Sequence, residues 1–207
     1  NAYEEAWDVI DTDGTSSTGS PTVINGSGGG DDMFIYTSPS MGGASLTVAY
    51  RNHVSDAAES MTDFALAVSP EGIDGLTVGY AVQDDTATGV ASSAKDESTM
   101  YAKYTFGSIT AGYQVSESDN ATASNNQEST GMAISYAISD EMSISYGQHE
   151  VETPNDSADA DQEASAISAS YVSGGMTIKG TIGEVDNVAN SADTDRETYE
   201  FSMSFAF

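Results

Sequence analysis

The sequence of 207 residues contains no cysteine, and its 5 Lys and Arg residues stand against 33 Asp and Glu residues. Without cysteine, a disulfide framework, a zinc–thiolate site and a cysteine nucleophile are all excluded. The formal net charge of −28 argues against nucleic-acid binding, because such a chain repels phosphate groups. The same charge would concentrate cations near the protein.

Long apolar runs are absent too. No stretch approaches the roughly 18–20 apolar residues of a membrane-spanning helix. The chain starts at Asn1 and shows no basic segment followed by an apolar one, which is the pattern of a signal peptide. We therefore expect a mature or partial sequence without a transmembrane helix.

Catalytic motifs are also missing. The two histidines, His53 and His149, have no serine motif or carboxylate at a suggestive spacing, and no GxSxG, HExxH or phosphate-loop pattern occurs. We therefore predict no enzyme and no cofactor. The segment Asp11–Gly14 matches part of a calcium loop but lacks the rest of its spacing, so we predict no metal site there. Binding of Ca²⁺ or Mg²⁺ by the acidic loops stays an open alternative.

What the sequence does contain is clearest in residues 197–207, where aromatic and small polar side chains alternate. The apolar positions fall on one side of an extended strand, because successive side chains point to opposite faces. A strand of about ten residues with one apolar and one small polar face is the unit of a transmembrane β-barrel. The last strand of a soluble sandwich would alternate in the same way. The apolar positions are Tyr199, Phe201, Met203, Phe205 and Phe207.

The same alternation recurs along residues 32–207, and we count about eleven strands in an antiparallel meander. Turns are predicted at Gly107-Ser108 and in two similar hairpins, near residues 139–141 and 173–175. The hydrophobic content of 38% is low for a packed globule, but it suffices for a barrel in which only one face of each strand is apolar. The pattern therefore predicts an all-β, up-and-down transmembrane β-barrel wall.

Two further patterns favour a membrane barrel over a soluble sheet. Short turns and long loops alternate strictly in this interpretation, and the long loops are acidic. Outer-membrane barrels likewise have short periplasmic turns and longer outer loops. The region 84–97 is read as one such loop. Seven tyrosines are expected on one face, as in an interfacial aromatic girdle. The acidic loop residues include Asp156, Asp159, Asp161 and Glu163, and the tyrosines are Tyr50, Tyr80, Tyr104, Tyr113, Tyr136, Tyr146 and Tyr171.

The opening segment differs from the rest of the chain. Apolar residues recur there at helical spacing, which predicts a short helix over about residues 2–10. Gly14 lies just beyond its end, and residues 14–30 are rich in Ser, Thr and Gly, which indicates an irregular loop.

Two stretches resemble the trimeric general porins of Gram-negative outer membranes. They are the terminal aromatic strand ending in Phe207, and residues 36–43, YTSPSMGG, which look like the family's strand and turn after its inward-folded constriction loop. Met41 stands where an aromatic residue is usual. The family barrel has about sixteen strands, so the resemblance implies the last two-thirds of a porin, with about the first five strands absent.

The resemblance divides the chain into an inward-folded constriction loop with a short helix, 1–31, and a barrel wall, 32–207. It implies that the acidic edge of the pore lies among the carboxylates of the opening segment; a solvated helix face is the alternative. Three cations alternate in phase with small residues, so in a barrel they would point into the lumen. We expect Lys95 and Arg196 to pair locally in acidic loops. The acidic candidates are Glu4, Glu5, Asp8, Asp11 and Asp13, and the lumen cations are Arg51, Lys103 and Lys179.

By this resemblance we expect a water-filled, cation-preferring channel for passive diffusion of small hydrophilic solutes and ions. The implied partners are outer-membrane lipid, lipopolysaccharide, two further copies in a homotrimer, and the barrel-assembly machinery. The machinery's signal would be the terminal residues Tyr199, Phe201, Phe205 and Phe207. A secreted acidic all-β adhesin or surface protein is the alternative function, and it would need neither a continuous outer apolar band nor a terminal aromatic residue.

Overall fold

The computed structural model describes residues 33–51, 60–86, 95–153 and 160–206. The predicted constriction loop and helix within 1–31, and Phe207, lie outside these residues. The described part is built of β-strands with two short 3₁₀ turns, Ala123–Asn125 and Val188–Asn190. No helix in this part is both long and apolar enough to span a bilayer.

Eleven strands pair in chain order, each antiparallel to the next, to form one sheet. This confirms the predicted up-and-down meander and its number of strands. The strands are β1 (Met33–Thr37), β2 (Ala44–Arg51), β3 (Ser60–Val68), β4 (Leu76–Thr86), β5 (Lys95–Phe106), β6 (Ile109–Asn120), β7 (Gln127–Ala137), β8 (Met142–Glu152), β9 (Gln162–Ser173), β10 (Met176–Asp186) and β11 (Arg196–Phe205).

Because the strands alternate in direction, the connections fall at two ends of the sheet. The turn side has the connections 38–43, 69–75, 107–108, 138–141 and 174–175, and the loop side has 52–59, 87–94, 121–126, 153–161 and 187–195. The predicted alternation is confirmed, because each turn-side connection is shorter than the loop-side connections next to it in the chain. The two classes still overlap in length, since the 69–75 connection is longer than the 121–126 connection.

Several strands extend further into acidic sequence than predicted. Asp84 pairs with Asp96 across β4 and β5, and Glu163 lies within β9, although both regions were expected to be loop. The backbone ladder supplies the hydrogen bonds of a strand whatever the side chains are, so polar residues can continue a strand beyond its apolar part. The acidic residues of the loop side are therefore placed largely on regular strands.

Glycine fixes the turn-side hairpins. Gly43 has a φ of +80°, and a Cβ there would lie 2.0 Å from the backbone oxygen of Ser69. Only glycine permits both this backbone conformation and this close approach. The predicted turn at 40–43 is confirmed, because Met41 and Ala44 form a bridge, and Ser38 donates its N–H to the Leu46 oxygen at 2.8 Å.

Candidate functional site

One face of the sheet, here called the aromatic face, exposes large apolar side chains on nearly every strand. Ile182 is 62% exposed and Phe201 is 70% exposed. Water strongly disfavours so large an apolar surface, whereas a bilayer accommodates it. The seven tyrosines expected to share a face do so, because the strand register places each of them opposite residues of the aromatic face on the neighbouring strands. The register pairs that show this include Tyr80↔Met100, Tyr113↔Met132 and Tyr146↔Ile167.

The opposite face, here called the small-residue face, carries mainly Ser, Thr, Ala, Gly and Gln. Tyr101 is the one Tyr, Phe or Trp side chain that the described strands place on it, and it pairs with Gly79. A Cβ on Gly79 would lie 2.1 Å from the Tyr101 ring, so the glycine makes room for that ring. The buried polar residues Gln114, Ser116 and Gln162 also belong to this face.

The charges are divided between the two faces. Arg51, Lys103, Lys179 and Arg196 lie on the small-residue face, in register with residues such as Gly112, Ser170 and Val185. That face also has the carboxylates Asp63, Glu97 and Glu200. Most strand carboxylates instead occupy aromatic-face positions near the loop side: Asp84, Asp96, Glu117, Asp119, Glu128, Glu150, Glu152, Glu163, Glu184, Asp186 and Glu197.

These aromatic-face carboxylates stand directly opposite one another across consecutive strands, in a set here called the carboxylate row. Like charges that face each other in a sheet are destabilising. The row lies at the loop-side end of the strands, beyond the aromatic side chains, where solvent can hydrate it. The opposed pairs are Asp84↔Asp96, Asp96↔Asp119, Glu117↔Glu128, Glu128↔Glu152, Glu150↔Glu163, Glu163↔Asp186 and Glu184↔Glu197.

The small-residue face curves into a groove of about 420 Å³ that is bounded by six consecutive strands, β5 to β10. Lys103 lies at one side of this groove and Lys179 at the other. Hydroxyl groups cover the wall between them, and Ser143 and Ser170 form a hydrogen bond of 2.8 Å across β8 and β9. The groove therefore offers cationic and hydroxyl groups to a polar solute, and this role of the two lysines stays a prediction.

The remaining predicted residues are distributed as follows. Glu4, Glu5, Asp8, Asp11 and Asp13 lie outside the described residues. Arg51 ends β2 at the loop side, away from the groove. Tyr199, Phe201 and Phe205 lie on the aromatic face of β11, where Tyr199 donates its hydroxyl to Glu197 Oε2 at 3.0 Å. The described residues show no group of three or more His, Asp or Glu that could hold a metal ion.

Sequence reasoning misjudged two cations and missed one connection. Lys95 and Arg196 were expected in loops, but they are the first residues of β5 and β11. Lys95 pairs with Asp85, and Arg196 pairs with Val185. The even-numbered spacing of Arg196 from Thr198 and Glu200 was a usable signal, because residues two apart share a face. The connection 187–195, which folds over the small-residue face, gave no local signal, because its contacts are with residues far away in sequence.

Comparison with known proteins agrees with this arrangement. A family model described as Gram-negative porin matches residues 1–207. The chain belongs to the Gram-negative porin family. This confirms the resemblance drawn from residues 36–43 and the terminal strand, and it rules against the secreted adhesin. A comparison with curated protein sequences gave no significant match.

Solved structures resemble this porin chain in fold. An anion-selective porin from Comamonas acidovorans matches with a TM-score of 0.65 at 13% identity, over 84% of this chain and 59% of that one. OmpT, an outer membrane protein of Vibrio cholerae, matches with a TM-score of 0.57 at 15% identity, over 83% of this chain and 60% of that one. This porin chain thus spans less than two-thirds of either structure. Family and fold together place it among outer-membrane β-barrel proteins.

Proposed function

We propose that the chain forms wall segments of a water-filled channel, through which small hydrophilic solutes and ions diffuse passively. The observation that supports this most directly is the division of the sheet into an exposed aromatic face and a face of mainly small residues that also has the cations. Lipid covers the first face, and water fills the space bounded by the second. Such a channel needs selectivity and no bond chemistry, so we propose no enzymatic activity.

The same proposal assigns the charged residues. Lys103 and Lys179 would line the lumen in the groove, and Arg51 and Arg196 would line it nearer the loop-side mouth. The carboxylates Glu4, Glu5, Asp8, Asp11 and Asp13 would form the acidic edge of an inward-folded loop within residues 1–31. Cations across from carboxylates would set up a transverse field that orients polar solutes and repels apolar ones.

We further propose that the complete channel prefers cations, with this preference arising at the loop-side mouth. The net charge of −28 supports it, since it raises the local concentration of cations. The described part of the small-residue face has cations and carboxylates in similar number, so it adds little preference of its own. The related porin from Comamonas acidovorans is anion-selective, which is a property of that protein.

The proposed partners follow from an outer-membrane barrel. Lipid and lipopolysaccharide would contact the aromatic face, and the barrel-assembly machinery would bind the terminal strand through Tyr199, Phe201, Phe205 and Phe207. Two further copies would complete a homotrimer.

The test is single-channel recording of the complete protein in a planar bilayer under a KCl gradient. We expect stepwise openings in groups of three and a reversal potential of the sign that favours K⁺. A reversal potential that favours Cl⁻ would contradict the cation preference alone. A bilayer that stays silent, with a protein that needs no detergent, would contradict the channel itself.

A further inference from the structure

The connection 187–195 between β10 and β11 does not continue the direction of its two strands. It folds back across the small-residue face towards β8. Asn190 donates its side-chain amide to the Val151 oxygen at 2.7 Å, and it is only 6% exposed. Val151 belongs to β8, so the connection crosses β9 to reach it.

Two further polar contacts hold the connection to the start of β9 and to Asp161, the residue before it. The Ala189 N–H donates to Gln162 Oε1 at 3.0 Å, and Gln162 itself is 1% exposed. The Asn187 side-chain amide donates to the Asp161 oxygen, also at 3.0 Å. One bond uses a backbone group of the connection and the other uses one of its side chains. Together they hold the connection in one position on the sheet.

An apolar contact adds to this attachment. Val188 packs in a buried cluster with Ala164 of β9 and Val185 of β10. Both partners lie on the small-residue face, since Ala164 pairs with Val185 and Val185 pairs with Arg196. The connection therefore covers the loop-side end of the face that bounds the groove.

The connection is also closed on itself. Val188 donates its N–H to the Thr194 oxygen at 2.8 Å, and the Thr194 hydroxyl donates to the Val188 oxygen at 3.1 Å. Asn187, Ala189, Asn190 and Asp193 all have positive φ, and they are the only non-glycine residues of the described chain that do. Residues other than glycine rarely adopt a positive φ, so the surrounding contacts determine this backbone conformation.

The connection 121–126, between β6 and β7, has a similar 3₁₀ turn but a different course. Asn120 donates its backbone N–H to Asn126 Oδ1 at 2.8 Å, and Asn126 donates its side-chain amide to Asp119 Oδ1 at 2.8 Å. These bonds close the connection on its own hairpin. It thus serves as a matched reference for a connection that does not cross the sheet.

We propose that the connection 187–195 is a second, fixed constriction that limits the size of the solutes entering from the loop side. Val188 and Asn190 are its positioning residues, and the exposed segment Ser191–Asp193 forms its free edge over the lumen. This inference rests on the proposed channel function. It adds a size-determining element to the predicted constriction loop within residues 1–31. The solutes that it admits are small and uncharged or cationic, because Asp193 lies on its free edge.

The test uses single cysteines, because the chain has none of its own. In the complete protein, Ala192→Cys is treated from the loop side with a bulky, water-soluble thiol reagent during single-channel recording. We expect conductance to fall by about half, because an adduct at a constriction narrows the conducting path. Ala123→Cys, in the connection 121–126, should react without changing conductance. Equal conductance before and after modification of Ala192→Cys would overturn the proposal.

A second variant removes most of the connection 187–195. Replacing Val188–Thr194 by Asn-Gly should raise conductance by about twofold and admit larger polyethylene glycols. The control replaces Ala121–Asn125 by Asn-Gly and should leave both unchanged. Unchanged conductance in the first variant, with folding confirmed by heat-modifiable gel mobility, would also overturn the proposal. A wild-type protein that conducts nothing would instead refute the channel function on which the inference depends.

Discussion

The two faces of the same strands differ more than any two strands differ from each other. In β7, Ile134 is 49% exposed on the aromatic face, and its neighbour Ser135 lines the groove. None of the basic side chains described lies on the aromatic face, whereas most strand carboxylates do. Net charge therefore describes the sheet poorly, because the small-residue face has cations and carboxylates in similar number, whereas the aromatic face of the described strands has carboxylates alone.

The carboxylates are confined to one end of the aromatic face for a physical reason. A charged side chain is costly in the bilayer, and the cost falls towards the interface. The carboxylate row lies beyond the aromatic side chains, so it can be hydrated. Each strand thus has two parts. Lipid covers the aromatic face along the part with aromatic side chains, and water reaches both faces along the part with the carboxylate row.

The largest expected effect comes from placing the same cation on each face in turn. Ile134→Arg should destabilise the barrel by about 2–4 kcal/mol, because it exposes a guanidinium to the lipid interior. Ser135→Arg should cost less than about 1 kcal/mol, since its side chain enters water. Urea titration of the complete protein in lipid vesicles measures both. Equal destabilisation by the two variants would break the comparison.

A smaller effect is expected when the net charge is changed equally on the two faces. Lys103→Gln and Thr130→Glu each make the chain more negative by one charge, but only the first alters the groove. Lys103→Gln should raise the K⁺ to Cl⁻ permeability ratio by about twofold, because it removes a lumen cation.

Thr130→Glu, on the aromatic face beside Glu128, should leave that ratio almost unchanged. Reversal potentials in a KCl gradient give both values. If Thr130→Glu shifts the potential as much as Lys103→Gln does, net charge and not position determines selectivity.

The smallest effect is expected within the carboxylate row. Glu150→Gln removes one opposed pair, with Glu163, and should stabilise the protein by about 0.2–1 kcal/mol at low ionic strength. The gain should shrink in 1 M salt, where charges more than about 3 Å apart are screened. Asp74→Asn, in the turn-side connection 69–75, is the control and should change stability little. A gain that persists in high salt would argue against repulsion along the row.

The sequence was sufficient to predict the strands, their number and their faces, because a period of two determines which side chain meets lipid. Tyr113 and Phe201 were placed correctly by this rule alone. Strand length was predicted less well, since Asp84 and Glu163 continue a backbone ladder that needs no apolar side chain. Arg196 was misplaced for the same reason.

The inward course of 187–195 could not be predicted from local pattern. Its decisive contact joins Asn190 to Val151, which are 39 residues apart. Such a contact depends on how three strands are arranged side by side, and no periodicity encodes it. The role of the carboxylates from Glu4 to Asp13 stays a prediction, as does the lumen role of Lys103 and Lys179.

The most direct test of the two-faced wall is solvent accessibility along one strand. Single cysteines at residues 132–136 of β7 are placed in the complete protein, which is reconstituted in vesicles and treated with a water-soluble maleimide. Our account predicts labelling at Ala133 and Ser135, and protection at Met132, Ile134 and Tyr136. Uniform labelling, or labelling of the second set in place of the first, would contradict it.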